Sequence, residues 1–237
     1  MIITPIKTEI FKPLFDPMDL IKYITPIAPK TIIAISTKII SLMENQIIQL
    51  KQQTKHDLIK QQSDIYLGAQ TCLNSPITII QDIIMPTAGI DQSNAPKNHF
   101  IIWPKNCNKS AEKIWHEFEK IINHTQFAVL LTDTRTGLMR RGTVGICTGF
   151  YGVNPLKNYI GKPDLFNKNL QSTKVNIVDS IAAICVLAMG EADEQTPIVK
   201  VENVENIEFT HTTQDMVDEL RVNLSEDIYL GKMQKNT

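Results

Sequence analysis

Phe127-Ala128-Val129-Leu130-Leu131-Thr132-Asp133-Thr134 passes from five consecutive apolar residues to an acid set between two hydroxyls. An apolar run of this length predicts a buried strand. An acid where such a strand ends is a recurrent position for a Mg2+ or Mn2+ ligand. Immediately beyond it stand Arg135, Gly137, Arg140, Arg141 and Gly142. Three of the four arginines in the chain fall within these seven residues, against twenty lysines overall. The arginine fork suits phosphate or carboxylate, although the same cluster also reads as an exposed basic turn.

Working outward, Thr31–Ile35, Asn98–Trp103 and Pro197–Val201 read as further strands, and Pro76–Ile84 as β-branched and strand-like. Asp16 is read as an N-cap, with Pro17 opening a short helix to Ile24. Lys38 to about Ser63 is mostly helical in pattern, with a break near Asn45. Ser110 is read as the cap of a helix to about Asn123, because Ile114, Trp115, Phe118, Ile121 and Ile122 form one stripe. Val175–Met189 is an apolar helix with Gly190 just past its end. Short mixed elements in no strict β-α-β order predict an α+β fold, in a single domain over residues 1–237 or two interlocked subdomains, with a polar tail from about Ser225.

Two further motifs interrupt ordinary core patterning. Gly89-Ile90-Asp91-Gln92-Ser93-Asn94 follows a strand and offers Asp91 and Asn94 as hard oxygen ligands, or simply an Asx turn. Met189-Gly190-Glu191-Ala192-Asp193-Glu194 puts three acids at a helix C-terminus. Acids there oppose the helix dipole unless a cation compensates. Together with the Asp133 segment these motifs read as an anionic metal-triphosphate site, and the absence of a Gly-x-x-x-x-Gly-Lys-Ser/Thr motif excludes a P-loop.

Composition bounds the alternatives. A formal charge of −1 argues against nonspecific nucleic-acid binding. No run reaches the roughly 18 apolar residues of a membrane span. The opening residues lack the pattern of a signal peptide, which points to the cytoplasm. Cys72, Cys107, Cys147 and Cys185 lack metal-ligand spacing and read as reduced, space-filling thiols. The five histidines are equally scattered.

The ordered set of motifs resembles the coenzyme F-420 γ-glutamyl ligase family from about residue 30 to 201. The resemblance rests on Gly89–Asn94, Pro104 with Ser110–Ile114, Thr132–Thr134 and Arg141-Gly142. It is extended by Tyr159–Gly161 with Asp164–Phe166, and by Met189–Glu194 followed by Pro197. It implies intertwined α+β homodimers with mixed and antiparallel sheets and flanking helices. It further implies condensation of L-glutamate onto a carboxylate through an acyl-phosphate, using GTP or ATP and two Mg2+ or Mn2+ ions. By resemblance, Asp91 and Asp133 hold one metal, with Thr134 and Glu191 on the other. The nucleotide is assigned to Ser36, Thr37, Asn94, the segment Met189, Gly190, Glu191, Ala192, Asp193, Glu194 through Thr196, and an N-terminal turn of Lys12, Pro13, Leu14 and Phe15. Arg140 and Arg141 are the candidates for steadying the phosphoryl group.

The chain departs from the family at Leu42, where a lysine is usual, at Leu138-Met139 in place of Arg-Pro, and at Ser180 in place of Glu. The acceptor is either a deazaflavin precursor or a folate-type carboxylate. The AT-biased, mesophile-like composition keeps the folate reading open. A non-catalytic nucleotide- and metal-binding regulatory protein of the same fold is the competing class.

Overall fold

The computed structural model describes residues 1–50, 53–68, 75–95 and 98–231. Its elements in order are β1 (Ile2–Ile6), α1 (Met18–Ile24), β2 (Thr31–Ser36), α2 (Thr37–Met43), β3 (Ile47–Gln49), α3 (Lys55–Gln62), β4 (Ile65–Gly68), β5 (Ile77–Ile80) and β6 (Ile83–Pro86). There follow β7 (His99–Ile101), α4 (Cys107–Glu119), β8 (Phe127–Thr136), β9 (Thr143–Tyr151), β10 (Leu156–Asn158), β11 (Lys174–Asn176), α5 (Ile177–Met189), β12 (Ile198–Glu202) and α6 (Gln214–Leu220).

The main sheet runs β1-β12-β2-β8-β9. Its centre is the parallel pair β2–β8, in register from Thr31 opposite Phe127 to Ser36 opposite Thr132, and its other pairs are antiparallel. Successive side chains of a strand face opposite sides. Accordingly Ile33, Ile35, Phe127, Val129 and Leu131 join a core with Leu20, Trp115 and Phe118. Ile32, Ala34, Ala128 and Leu130 join a second core with Val178, Ala182 and Cys185. The sheet therefore lies between α1 and α4 on one face and α5 on the other, which is why its central strands are apolar throughout. Three small sheets, β4-β5-β6, β3-β7 and β10-β11, complete a mixed α+β fold. No helix among the described residues is long and apolar enough to cross a membrane.

Several boundaries differ from the sequence reading. Helix α1 starts at Met18; Asp16 precedes it and accepts from the Met18 N–H at 2.8 Å. Helix α4 starts at Cys107, because the Asn106 side chain accepts from the Lys109 N–H at 2.9 Å and caps it first. Ser110 instead donates to Glu44 Oε1 at 2.6 Å from inside the helix. The stretch read as helix from Lys38 breaks at Asn45, which has a left-handed φ of 55°, and then forms β3. It resumes as helix at the capping box of Thr54 and Asp57. Pro76–Ile84 falls in the β5–β6 hairpin, whose two-residue turn puts Gln81 and Asp82 at φ 49° and 63°. Cys107, Cys147 and Cys185 are buried free thiols, all raised above the ordinary thiol range by burial, Cys107 and Cys185 to about 12. Cys72 lies outside the described residues, as does the end of the polar tail from 232.

Candidate functional site

Strand β2 ends at Ser36 opposite Thr132, whereas β8 does not end at Asp133 as the sequence suggested but runs on to Thr136, held by its pairing with β9. A cavity of about 600 Å3 opens where β2 stops. Ser36, Thr132, Asp133 and Thr134 form its floor, and Lys38 of α2 and Leu42 stand on one wall. The loop after β6 brings Asp91, Ser93 and Asn94. The segment from Met189 through Thr196 to Pro197 closes another side, and Thr8 to Phe11 with Pro13 another. The three separate acidic motifs thus meet in one place.

The two aspartates are held differently. The Lys38 ammonium lies 2.6 Å from Asp91 Oδ2 and donates to the backbone and side-chain oxygens of Ser93 at 3.3 Å. Ser93 returns its N–H to Asp91 Oδ1 at 2.6 Å and its hydroxyl at 2.7 Å. Burial works to raise the Asp91 carboxyl, but the hydrogen bonds from Lys38 and Ser93 outweigh it and hold the group below its ordinary value. Asp133 sits deeper. The Trp103 indole donates to its Oδ2 at 2.7 Å and the Thr134 N–H to its Oδ1 at 2.8 Å. Burial nonetheless dominates and pushes Asp133 up to about 6, with the Asp91 charge adding to the rise.

Two interacting carboxylates served by a single ammonium fit a divalent cation, with Lys38 as the cation of the metal-free site. Among the described residues no three carboxylate, imidazole or thiol groups gather closely enough to make a metal centre by themselves. A cation there would need further ligands from phosphate or water.

Around the Met189 segment, Gly190 takes a φ of 77°, and a Cβ at that position would lie 2.5 Å from Glu194 Oε1. Glu194 folds back to accept from the Ala192 N–H at 2.8 Å. Asn94 reaches across to Ala192 O at 3.3 Å, and Thr196 ties back to Met189 O at 2.6 Å. Glu191 lines the cavity and accepts from the Thr143 hydroxyl at 3.4 Å.

Other residues singled out in the sequence stand apart. Thr37 is fully buried, its hydroxyl 2.6 Å from that of Thr148, so it faces away from the cavity. Of the N-terminal turn only Pro13 lines the cavity. Lys12 is exposed, Leu14 ties its N–H to Leu42 O at 3.0 Å, and Phe15 packs on Phe11 with ring centroids 4.5 Å apart. Arg140 and Arg141 lie exposed in the connection between β8 and β9, outside the cavity wall. Arg135 points elsewhere along β8, donating to Ile84 O at 3.3 Å. Two contributors carried little sequence signal. Lys38 is one lysine among twenty. Trp103 reads as a strand end, and only the need of a buried indole N–H for an acceptor hints at its role.

This site belongs to a chain that matches the family described as F420-0:Gamma-glutamyl ligase over residues 6–203. It is 37% identical to a coenzyme F420:L-glutamate ligase of Methanocaldococcus jannaschii over 126 residues, 53% of this chain and 49% of the relative. A Methanosarcina mazei protein of the same name is 32% identical over 139 residues, 59% of this chain and 49% of its own. One from Archaeoglobus fulgidus is 36% identical over 114 residues, 48% and 45% respectively. The chain spans about half the length of the curated relatives it matches. The family match covers both central strands, the acidic loop and the segment after α5, so this chain belongs to the F420-0:gamma-glutamyl ligase family.

Proposed function

We propose that this protein is a γ-glutamyl ligase that joins L-glutamate to a carboxylate of a cofactor precursor through an acyl-phosphate, consuming GTP or ATP. The observation that carries the reading is the convergence of Asp91, Asp133 and Glu191 with Ser36, Asn94 and the Met189–Thr196 segment on one cavity. Asp91 and Asp133, with Thr134 and Glu191 beside them, would hold Mg2+ or Mn2+. Bound there, the metal supplies positive charge against the triphosphate.

The chain's own contribution is positional. A free carboxylate is a poor electrophile, so its oxygen must first take the γ-phosphoryl group, releasing nucleoside diphosphate. The glutamate amine then attacks the acyl carbon and phosphate leaves. Lys38 is placed to neutralise phosphate oxygens once its hold on Asp91 is relaxed. Gly190 and the turn after it let backbone approach the nucleotide closely, and Leu42 makes the adjoining wall apolar where the family usually places a lysine. The acceptor is a carboxylate of deazaflavin or folate type.

The test incubates purified protein with labelled glutamate, Mg2+ or Mn2+, GTP or ATP, and each acceptor separately. A gain of one glutamyl unit by mass spectrometry is the expected result. Nucleotide binding without hydrolysis or transfer to either acceptor would instead support the regulatory reading.

A homodimer accompanies this proposal. Leu165 and Phe166 stand 97% and 89% exposed in the single chain, an apolar surface suited to a second copy. Light scattering is expected to return twice the chain mass of 26.8 kDa; a monomer at micromolar concentration would count against it.

A further inference from the structure

The loop that carries Asp91 starts from an unusual turn. Thr87, Ala88 and Gly89 all have left-handed backbone, with φ of 55°, 52° and 64°. A β-branched residue with positive φ is an outlier. Backbone of this kind persists where its surroundings over-determine it, and it gathers at functional sites. Here the surroundings are visible. The Thr87 N–H donates to Pro76 O at 2.9 Å. The Ala88 N–H donates to Thr78 Oγ1 at 2.9 Å, and the Thr78 hydroxyl donates to Met85 O at 2.6 Å. The turn presses Gly89 against the N–H edge of Trp103, where an added Cβ would lie 2.6 Å from Trp103 Cε2.

Trp103 is fixed from its own backbone as well. The Asp91 N–H donates to Ile101 O at 3.0 Å, and the Ile101 N–H returns to Asp91 O at 2.8 Å. The Ile102 N–H donates to Gln46 O at 3.1 Å, and Pro104 O accepts from Gln81 Nε2 at 2.8 Å. One tied pair of segments therefore carries both Asp91 and the indole that reaches Asp133. An indole has a single donor. A buried one is commonly satisfied by a backbone carbonyl, as Trp115 is by Phe127 O at 2.9 Å. Trp103 instead gives its donor to a cavity carboxylate, Asp133 Oδ2, at 2.7 Å, while the Thr134 N–H holds Oδ1 at 2.8 Å.

We propose that Trp103 is a positioning residue for Asp133. Its N–H fixes the rotation of that carboxylate, and its attachment to the Asp91 loop fixes the spacing of the two aspartates. Gly89 is the seat that lets the indole stand there. The role rests on the assignment of a divalent cation to Asp91 and Asp133.

The experiment titrates Mn2+ into the metal-free full-length chain by electron paramagnetic resonance, for the wild type, Asp133→Asn, Trp103→Phe and Trp103→His. Phenylalanine keeps ring bulk and removes the donor. Histidine gives up bulk but places an N–H at the matching corner of its five-membered ring. The expected result is Mn2+ binding about tenfold weaker in Trp103→Phe and closer to wild type in Trp103→His. Thermal melts are expected to rank the two variants the other way. A tryptophan that only fills space would make affinity follow bulk, so a histidine variant no better than the phenylalanine one overturns the role. A second readout is the indole N–H resonance in 15N NMR. Mg2+ is expected to move the Trp103 resonance, identified by its loss in Trp103→Phe, and to leave that of Trp115 in place. If Asp133→Asn abolishes metal binding while Trp103→Phe binds as the wild type does, or the Trp103 resonance stays put under saturating Mg2+, the role falls and the metal assignment stands. A wild type that binds no metal removes both.

Discussion

Asp133→Asn is expected to abolish metal-dependent nucleotide binding and, in the same variant, to stabilise the metal-free protein at neutral pH. The second effect follows from the sign of the shift. Asp133 is raised to about 6 in the folded chain, chiefly by burial, whereas an unfolded aspartate titrates near 3.9. Between those values the folded state holds more protons than the unfolded one, so wild-type stability falls as pH rises through that window and stays low above it. Each unit is worth 1.36 kcal/mol, which caps the effect at ~3 kcal/mol before the cavity's water screens part of it. Asparagine removes the charge and keeps an acceptor for the Trp103 indole. Melts of metal-free protein at several pH values are expected to show the variant's advantage growing from about pH 4 to 6 and level beyond. Calorimetric titration with Mn2+ checks the first effect; unchanged affinity in Asp133→Asn would sink the metal assignment.

Gly149→Ala is expected to cost about 3 kcal/mol, a melting temperature lower by roughly 2–4 °C per kcal/mol. A Cβ at Gly149 would lie 2.5 Å from Cys107 O and 2.8 Å from Asn108 N, in the opening turn of α4. Both are backbone atoms, so no rotamer change relieves the overlap, and either α4 or β9 must move. Movement strains the Phe150 N–H bond to Asn108 Oδ1 at 3.0 Å and the Cys107 N–H bond to Gln81 Oε1 at 2.8 Å. Gly137→Ala is the control: its φ is ordinary and the nearest atom is Arg140 Cβ at 3.8 Å. A Gly149→Ala protein that melts with that control would refute the packing argument.

What the sequence disclosed follows from where burial is two-sided. Thr31–Ile35 and Phe127–Leu131 stand out because helices cover both faces of the central sheet, so apolar residues run without alternation, while Pro197–Val201 is broken only by Lys200. β1 carries Pro5 and alternates poorly because it is an edge strand. β9 hides behind Gly145 and Gly149, residues that weaken strand patterning and are present so that α5 and α4 can approach. Asp91, Asn94, Ser36 and the Met189–Glu194 segment stood out because each lies at or just past the end of an element, and Asp133 because it follows the apolar half of β8, where β2 stops beside it. The arginine cluster is dispersed in the structure: strand direction and a hairpin connection turn Arg135 towards Ile84 O and leave Arg140 and Arg141 exposed. The contacts of Lys38 and Trp103 with the two aspartates are tertiary and leave no periodic trace.

The pairing of the main sheet also constrains how the chain reaches its shape. β2 has no parallel partner until residues 127–132 exist, and β1 and β2 both pair with β12, which ends at Glu202. A ribosome must therefore release most of the polypeptide before the first strand finds its neighbour. Until then the apolar Thr31–Ile35 edge stays unpaired. Such long-range closure is slow relative to local helix formation, and the nascent protein passes through a stage in which sticking to other chains competes with folding.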